Sequence, residues 1–171
     1  MAGTGQVMGE AVLRSFPADA GGHDHHSCVG DALARARDLC ASRGVRLTPL
    51  RERVLELVWS GHKPRGAYAI LEDLAENGEK RPAPLTVYRA LDFLVEQGFV
   101  HRIESLNAYV GCSDPERSHT GQFLVCTGCG DAAEMSDPGI AAAVSAAAGR
   151  LGFRPLRQTI EVAGLCPRCQ S

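Results

Sequence analysis

Four of the seven cysteines form two Cys-x-x-Cys pairs, Cys126-Thr-Gly-Cys129 and Cys166-Pro-Arg-Cys169. Nothing else in the chain restricts its fold as much. A Cys-x-x-Cys turn presents two thiolates from one tight bend, and two such turns complete the closed tetrahedral shell of a structural zinc ion. The 36 residues between the pairs exceed the spacer of a simple zinc ribbon. They predict a strand–helix–strand unit whose final strand is pinned back on its first. The alternatives are a redox dithiol, which needs one pair in a βαβ setting, or unconnected thiols.

The sequence around the pairs suits that unit. Phe123–Cys126 and Ala132–Met135 read as strands, Asp137-Pro138 caps an Ala-rich helix to Arg150, and a last strand holds Leu156, Ile160 and Val162. Upstream the periodicity is helical. Asp31 is the expected cap of a first helix with Leu33, Ala36, Leu39 and Cys40 on one face, where Cys40 is a packed thiol. Thr48-Pro49 opens a second helix with the stripe Leu50, Val54, Leu57 and Val58. Ala67–Ala75 is a short third helix. A fourth runs from Leu85 to Gln97, is closed by Gly98, and carries Val87, Leu91, Leu94 and Val95 inward. A hairpin follows, Phe99–Glu104 and Tyr109–Cys112. Helices followed by such a hairpin are the layout of a winged helix-turn-helix.

The expected class is therefore α+β, in four parts. Residues 1–29 form a mobile leader, 30–112 a winged-helix DNA-binding domain, 113–118 a polar hinge, and 119–171 an α/β dimerisation domain holding the cysteine pairs.

Charge supports DNA binding weakly. The net charge is −2 over 171 residues, but Arg35 to Arg102 hold twelve Lys and Arg against nine Asp and Glu. The leader is acidic. No 18-residue apolar run is present, which argues against a membrane partner. The start Met1-Ala2-Gly3-Thr4 lacks the basic and apolar regions of a signal peptide, so a cytoplasmic location is expected. A Gly-rich phosphate loop, His-Glu-x-x-His and a nucleophile elbow are all missing, so neither an enzyme nor a small organic substrate is expected.

Together these motifs give a family resemblance. Arg46-Leu-Thr-Pro-Leu-Arg51, Leu85-Thr-Val-Tyr-Arg-Ala-Leu-Asp-Phe-Leu94, Glu96-Gln-Gly-Phe-Val-His-Arg-Ile-Glu-Ser105 and the two cysteine pairs resemble the ferric uptake regulator superfamily, within it the zinc uptake regulators. The match spans roughly residues 31–170 and implies a homodimer repressing zinc-uptake genes from palindromic operator DNA, with metal as co-repressor. Iron- and peroxide-sensing relatives carry a His-His-Asp-His-like run before the first pair. This chain has Ser118-His119-Thr120-Gly121, with a single histidine.

The resemblance implies a regulatory site of His101, Cys112, His119 and Glu134, and hence two zinc ions per chain. Two imidazoles, a thiolate and a carboxylate also suit zinc better than iron or manganese on chemical grounds. The alternative is two surface histidines, a packed thiol and a solvated carboxylate. An iron- or manganese-sensing member of the same superfamily is the nearest other reading, and a zinc storage or chaperone protein is the reading from another class. The leader residues His23, His25, His26 and Cys28 are a possible weak third metal site, or part of a solvated leader.

For DNA, Arg89 is the expected base reader through guanine O6 and N7. Thr86 and Tyr88 are expected at a thymine methyl or phosphate, and Tyr68 is a contact implied by the family. Arg46, Arg51 and Arg65 are phosphate candidates or serve solubility.

Overall fold

The structure is a computed structural model. It describes residues 12–13, 25–61, 63–76, 82–116 and 121–170.

The helical part begins earlier than the Asp31 cap predicts. Helix α1 spans His25–Ser42, so Asp31 lies inside it. The additional turns half-bury Cys28 and Val29. Cys28 and Ala32 line a small cavity with Leu55, Trp59 and Phe99. Helix α2 spans Pro49–Trp59, and its Thr48 cap accepts the Arg51 N–H at 3.4 Å. A two-residue strand β2 (Arg65–Gly66) leads into α3 (Ala67–Glu76), and α4 spans Pro84–Glu96. Gly98, at φ +75°, takes the left-handed conformation that turns the chain out of α4 into the wing.

The wing is β3 (Val100–Ile103) and β4 (Ala108–Gly111), antiparallel, with β2 on the outer side of β4. Val54, Ile70, Leu91 and Leu94 are fully enclosed, each worth about 1.5–3 kcal/mol of burial. Cys40 is buried among them, as its helical face predicts. The first residues of the expected hinge are bonded to α1 and the residue that follows it. Arg35 donates to the Ser113 carbonyl at 3.3 Å and Arg43 to the Pro115 carbonyl at 3.1 Å.

The C-terminal half is a mixed sheet. Strand β5 (Gly121–Cys126) is central, antiparallel to β6 (Ala132–Ser136) and parallel to β7 (Thr159–Gly164), with α5 (Pro138–Arg150) as the crossover. Asp137 caps α5 by accepting the Gly139 N–H at 2.7 Å. The buried Gln122 amide bonds both the N–H and the carbonyl of Asp137, which fixes the start of α5 to β5. Leu156 precedes β7 rather than lying in it, because register with β5 starts at Thr159, and it is 88% exposed.

The leader is not without structure throughout. A two-residue strand β1 (Val12–Leu13) adds to the free edge of β6, giving the order β1-β6-β5-β7. Both parts of the chain meet in a second, small apolar cluster: Ile103 of the wing with Phe123, Val125 and Ala132 of the sheet, and Val110 alongside.

Candidate metal centres and DNA-facing surface

The four paired cysteines come together. Their sulfurs lie within 4.8 Å of one another, and Cys129 and Cys166 are 3.7 Å apart. Two sulfurs at ~2.3 Å from one tetrahedral ion would stand about 3.8 Å apart, so the spacing fits zinc. Both turns are shaped by backbone. Cys126 N–H donates to the Asp131 carbonyl, Gly130 N–H to Cys126, and Cys169 N–H to Cys166. Gly130 sits at φ +76°, and a Cβ on Gly128 would stand 3.0 Å from the Cys169 sulfur, so neither position readily takes a side chain.

Protonation of this cluster is uneven. Hydrogen bonds from the backbone of Cys166, then of Cys129, draw the Cys126 thiol down to about 6. Side-chain hydrogen bonds with Cys166 and Cys126, plus burial, push Cys169 up to about 12. Neighbouring thiolates oppose one another's ionisation, and a divalent cation relieves that opposition.

Asp131, which sequence reasoning missed, joins the two turns. Its fully buried carboxylate pairs with Arg168, one of the two residues between the second pair of cysteines, and lies 3.4 Å from the Lys63 ammonium of the α2–β2 loop. The only local sign was an aspartate two residues past Cys129 and an arginine inside the other turn.

A second cluster forms at the junction of the two halves. His101 of β3, Cys112 just after β4 and Glu134 of β6 place their ligand atoms within 4.8 Å of one another. His101 Nε2 is 3.1 Å from Glu134 Oε1, and Ser113 Oγ donates to Glu134 Oε2 at 3.2 Å. The His101 ring meets Phe123 edge-on, centroids 5.3 Å apart. All three ligands are largely withdrawn from solvent. The fourth expected ligand, His119, lies outside the described residues, and Gly121 two residues later approaches His101 Nδ1 to 3.5 Å at its Cβ position. An imidazole, a thiolate and a carboxylate are a donor set for zinc.

Cys112 is positioned from two sides. Its N–H donates to the Phe99 carbonyl at 2.9 Å, and the preceding Gly111 lies flat against the indole of Trp59. A Cβ on Gly111 would stand 2.2 Å from that ring.

The expected third site is only partly visible. Cys28 lines the cavity of about 190 Å3 that Cys112 also lines. The side chains of His23, His25 and His26 lie outside the described residues.

Of the residues expected at DNA, Thr86 and Arg89 are exposed on α4, Arg46 is exposed, and Tyr68 is 70% exposed. Tyr88 is half-buried against the helical core. Arg51 and Arg65 are engaged within the fold. The Arg51 guanidinium stacks 3.5 Å over Phe93 of α4 and bonds the Arg46 carbonyl. Arg65 is paired with Asp73 and bonds Ser60 Oγ and the Leu57 carbonyl.

The fold and its clusters define a winged-helix protein whose second half is a metal-knuckle α/β unit. Residues 42–163 match the ferric uptake regulator family, and the chain belongs to that family. It is 42% identical over 140 residues to the zinc uptake regulation protein of Escherichia coli (strain K12), 81% of each chain. It is 31% identical over 134 residues to the zinc uptake regulation protein of Mycobacterium tuberculosis (strain CDC 1551 / Oshkosh), 77% of this chain and 99% of that one. Among solved structures it resembles a zinc uptake regulator complexed with zinc and DNA, at 41% identity and TM-score 0.76, covering 83% of this chain and 95% of that one.

Proposed function

We propose that this protein is a zinc-responsive, DNA-binding repressor of zinc-uptake genes, acting as a cytoplasmic homodimer on a palindromic operator. The observation that carries the reading is the junction cluster. His101 and Cys112 belong to the winged helix and Glu134 to the sheet, yet their ligand atoms converge within 4.8 Å. The names of its relatives, which specify zinc uptake regulation and a complex with zinc and DNA, support the same reading.

Two zinc ions per chain follow from two donor sets. Cys126, Cys129, Cys166 and Cys169 would hold a structural ion, and His101, Cys112 and Glu134, with His119, a regulatory one. Bound there, zinc supplies a divalent charge that joins thiolate, imidazole and carboxylate in one shell. The protein does the rest. Phe123 and Ser113 orient His101 and Glu134 towards one another. With residues 113–118 as hinge, the converged ligands fix the winged helix relative to the sheet. In a dimer this sets the separation of the two α4 helices, and a two-fold operator accepts one separation.

Dimerisation through the C-terminal half is supported by its open apolar surface. No residue of α5 is buried, and Phe153 (66%), Val162 (47%) and Leu165 (50%) are exposed. Arg89 and Thr86, exposed on α4, would donate to base edges, and the exposed Arg46 and Tyr68 are further DNA contacts in this reading. By linkage, DNA tightens zinc binding by the factor with which zinc tightens DNA binding, typically ~1–3 kcal/mol.

The test is retardation of DNA, selected from a random pool by the zinc-loaded protein, across buffered free zinc. Wild type should bind only as the second zinc loads. Cys112→Ser should remain a dimer with its four-cysteine zinc, hold one zinc fewer per chain and lose the response. Full zinc-dependent binding by Cys112→Ser would move the sensor elsewhere. Wild type that retards no DNA would make the protein a zinc store or carrier.

A further inference from the structure

Strand register places Glu161 of β7, Phe123 of β5 and Glu134 of β6 in one row across the C-terminal sheet. Residues directly opposite in adjacent strands share a face, and every member of this row touches the wing. Glu134 meets His101, and Phe123 meets the His101 ring and packs with Ile103. Glu161 accepts the backbone N–H of Glu104 at 2.7 Å and of Ser105 at 3.1 Å. On the wing side His101 and Ile103 are two apart on β3 and so face the same way. Glu104 and Ser105 begin the tight turn that follows, closed by Asn107 at φ +46°.

Glu161 thus holds the wing turn from the opposite half of the molecule without belonging to either donor cluster. One carboxylate bridging two successive backbone N–H groups makes a pair of charge-assisted hydrogen bonds, about twice as strong as neutral ones. They fix the wing at one end of the row while His101 and Glu134 meet at the other.

We propose that Glu161 is a positioning residue for the junction metal site, a metal-independent latch that docks the wing so that His101 and Cys112 reach Glu134 already aligned. The inference rests on the junction cluster being the regulatory zinc site. A ligand set on two bodies binds with an affinity reduced by the fraction of molecules in the docked arrangement. Glu161 raises that fraction and thereby sets the zinc concentration to which the protein responds.

The experiment uses the full-length protein with its four-cysteine zinc in place, as wild type, Glu161→Gln and Glu161→Ala. Second-zinc affinity is measured by competition with a chelator, and exchange of the Glu104 and Ser105 amides by NMR in the absence of the second zinc. Glu161→Ala should weaken the second zinc on the order of 10-fold, as expected for loss of hydrogen bonds to a charged group. Glu161→Gln, whose neutral oxygen still accepts, should fall between. Both amides should exchange faster in the variants, with dimer and first zinc unchanged. Equal second-zinc affinity in all three proteins, or unchanged amide exchange in Glu161→Ala, overturns the latch. If wild type binds no second zinc, the regulatory reading fails, and the latch fails with it as a metal-site device even where the amides respond.

Discussion

Ile103→Ala separates docking of the two halves from the stability of either one. Ile103 is fully enclosed, yet its apolar neighbours are Phe123, Val125 and Ala132 of the sheet, with Val110 of the wing, and it lies apart from the main helical core. An Ile→Ala truncation at a rigid buried site costs about 2–5 kcal/mol, as lost transfer energy plus a cavity. A coupling between two sites is typically ~1–3 kcal/mol. The first number exceeds the second, so the variant should escape the cavity by undocking the wing. Second-zinc affinity should then fall by as much as the coupling supplies, about 5–150-fold. Ile103→Val, costing about 0.5–1.5 kcal/mol, should stay docked and lose roughly 2–13-fold. Chelator competition gives the affinities, and urea unfolding of the four-cysteine zinc form gives the stabilities. The reasoning is refuted if Ile103→Ala destabilises the winged helix by several kcal/mol while the second zinc binds as in wild type.

Cys166→Ser should remove the first zinc and dissociate the dimer, because metal-binding energy at such a site is folding energy; zinc analysis with sedimentation checks this, and a dimer of unchanged heat stability would contradict it. Arg89→Ala should cost about 1–3 kcal/mol per half-site and relax preference at one base pair. Arg65→Ala, which removes the pair with Asp73, should instead lower thermal stability by about 1 kcal/mol, with base preference intact in the same selection. The Glu161 contact has a defined pH window. Burial pushes its carboxyl up, but the Ser105 side chain and the N–H groups of Glu104 and Ser105 outweigh burial and bring it below the ordinary 4.5. A lowered folded-state value stabilises docking fully above 4.5, and the contribution disappears as pH falls through the lowered value. Protection of the wing-turn amides in the form lacking the second zinc, taken relative to their intrinsic exchange rates, should fall over that range in wild type and not in Glu161→Gln.

Where chemistry was local, the sequence was readable. The cysteine turns needed only three-residue spacing, α2 announced itself through Thr48-Pro49, and α4 through its apolar stripe and Gly98. The junction cluster was readable only by likeness to a family, since Cys112 and Glu134 are far apart along the chain and no local pattern joins them. Contacts made by long-range register left no trace. Glu161 looked like any strand carboxylate until β7 paired with β5. The early start of α1 carries no cap signal that the sequence reports. Arg51 and Arg65 appeared as free charge because sequence shows a charge and not its partner; Phe93 and Asp73 absorb them.

The close contact between Gly111 and Trp59 also makes the molecule its own instrument. Trp59 is the single tryptophan of the chain. Its indole lies against the residue preceding Cys112, and both residues line one cavity. Indole emission is quenched by a nearby thiolate and responds to the polarity around the ring. Zinc held at the junction cluster, as proposed, would tie up the Cys112 sulfur and so change that emission. Unlabelled protein should therefore report, in a cuvette and in real time, zinc entering the proposed junction site.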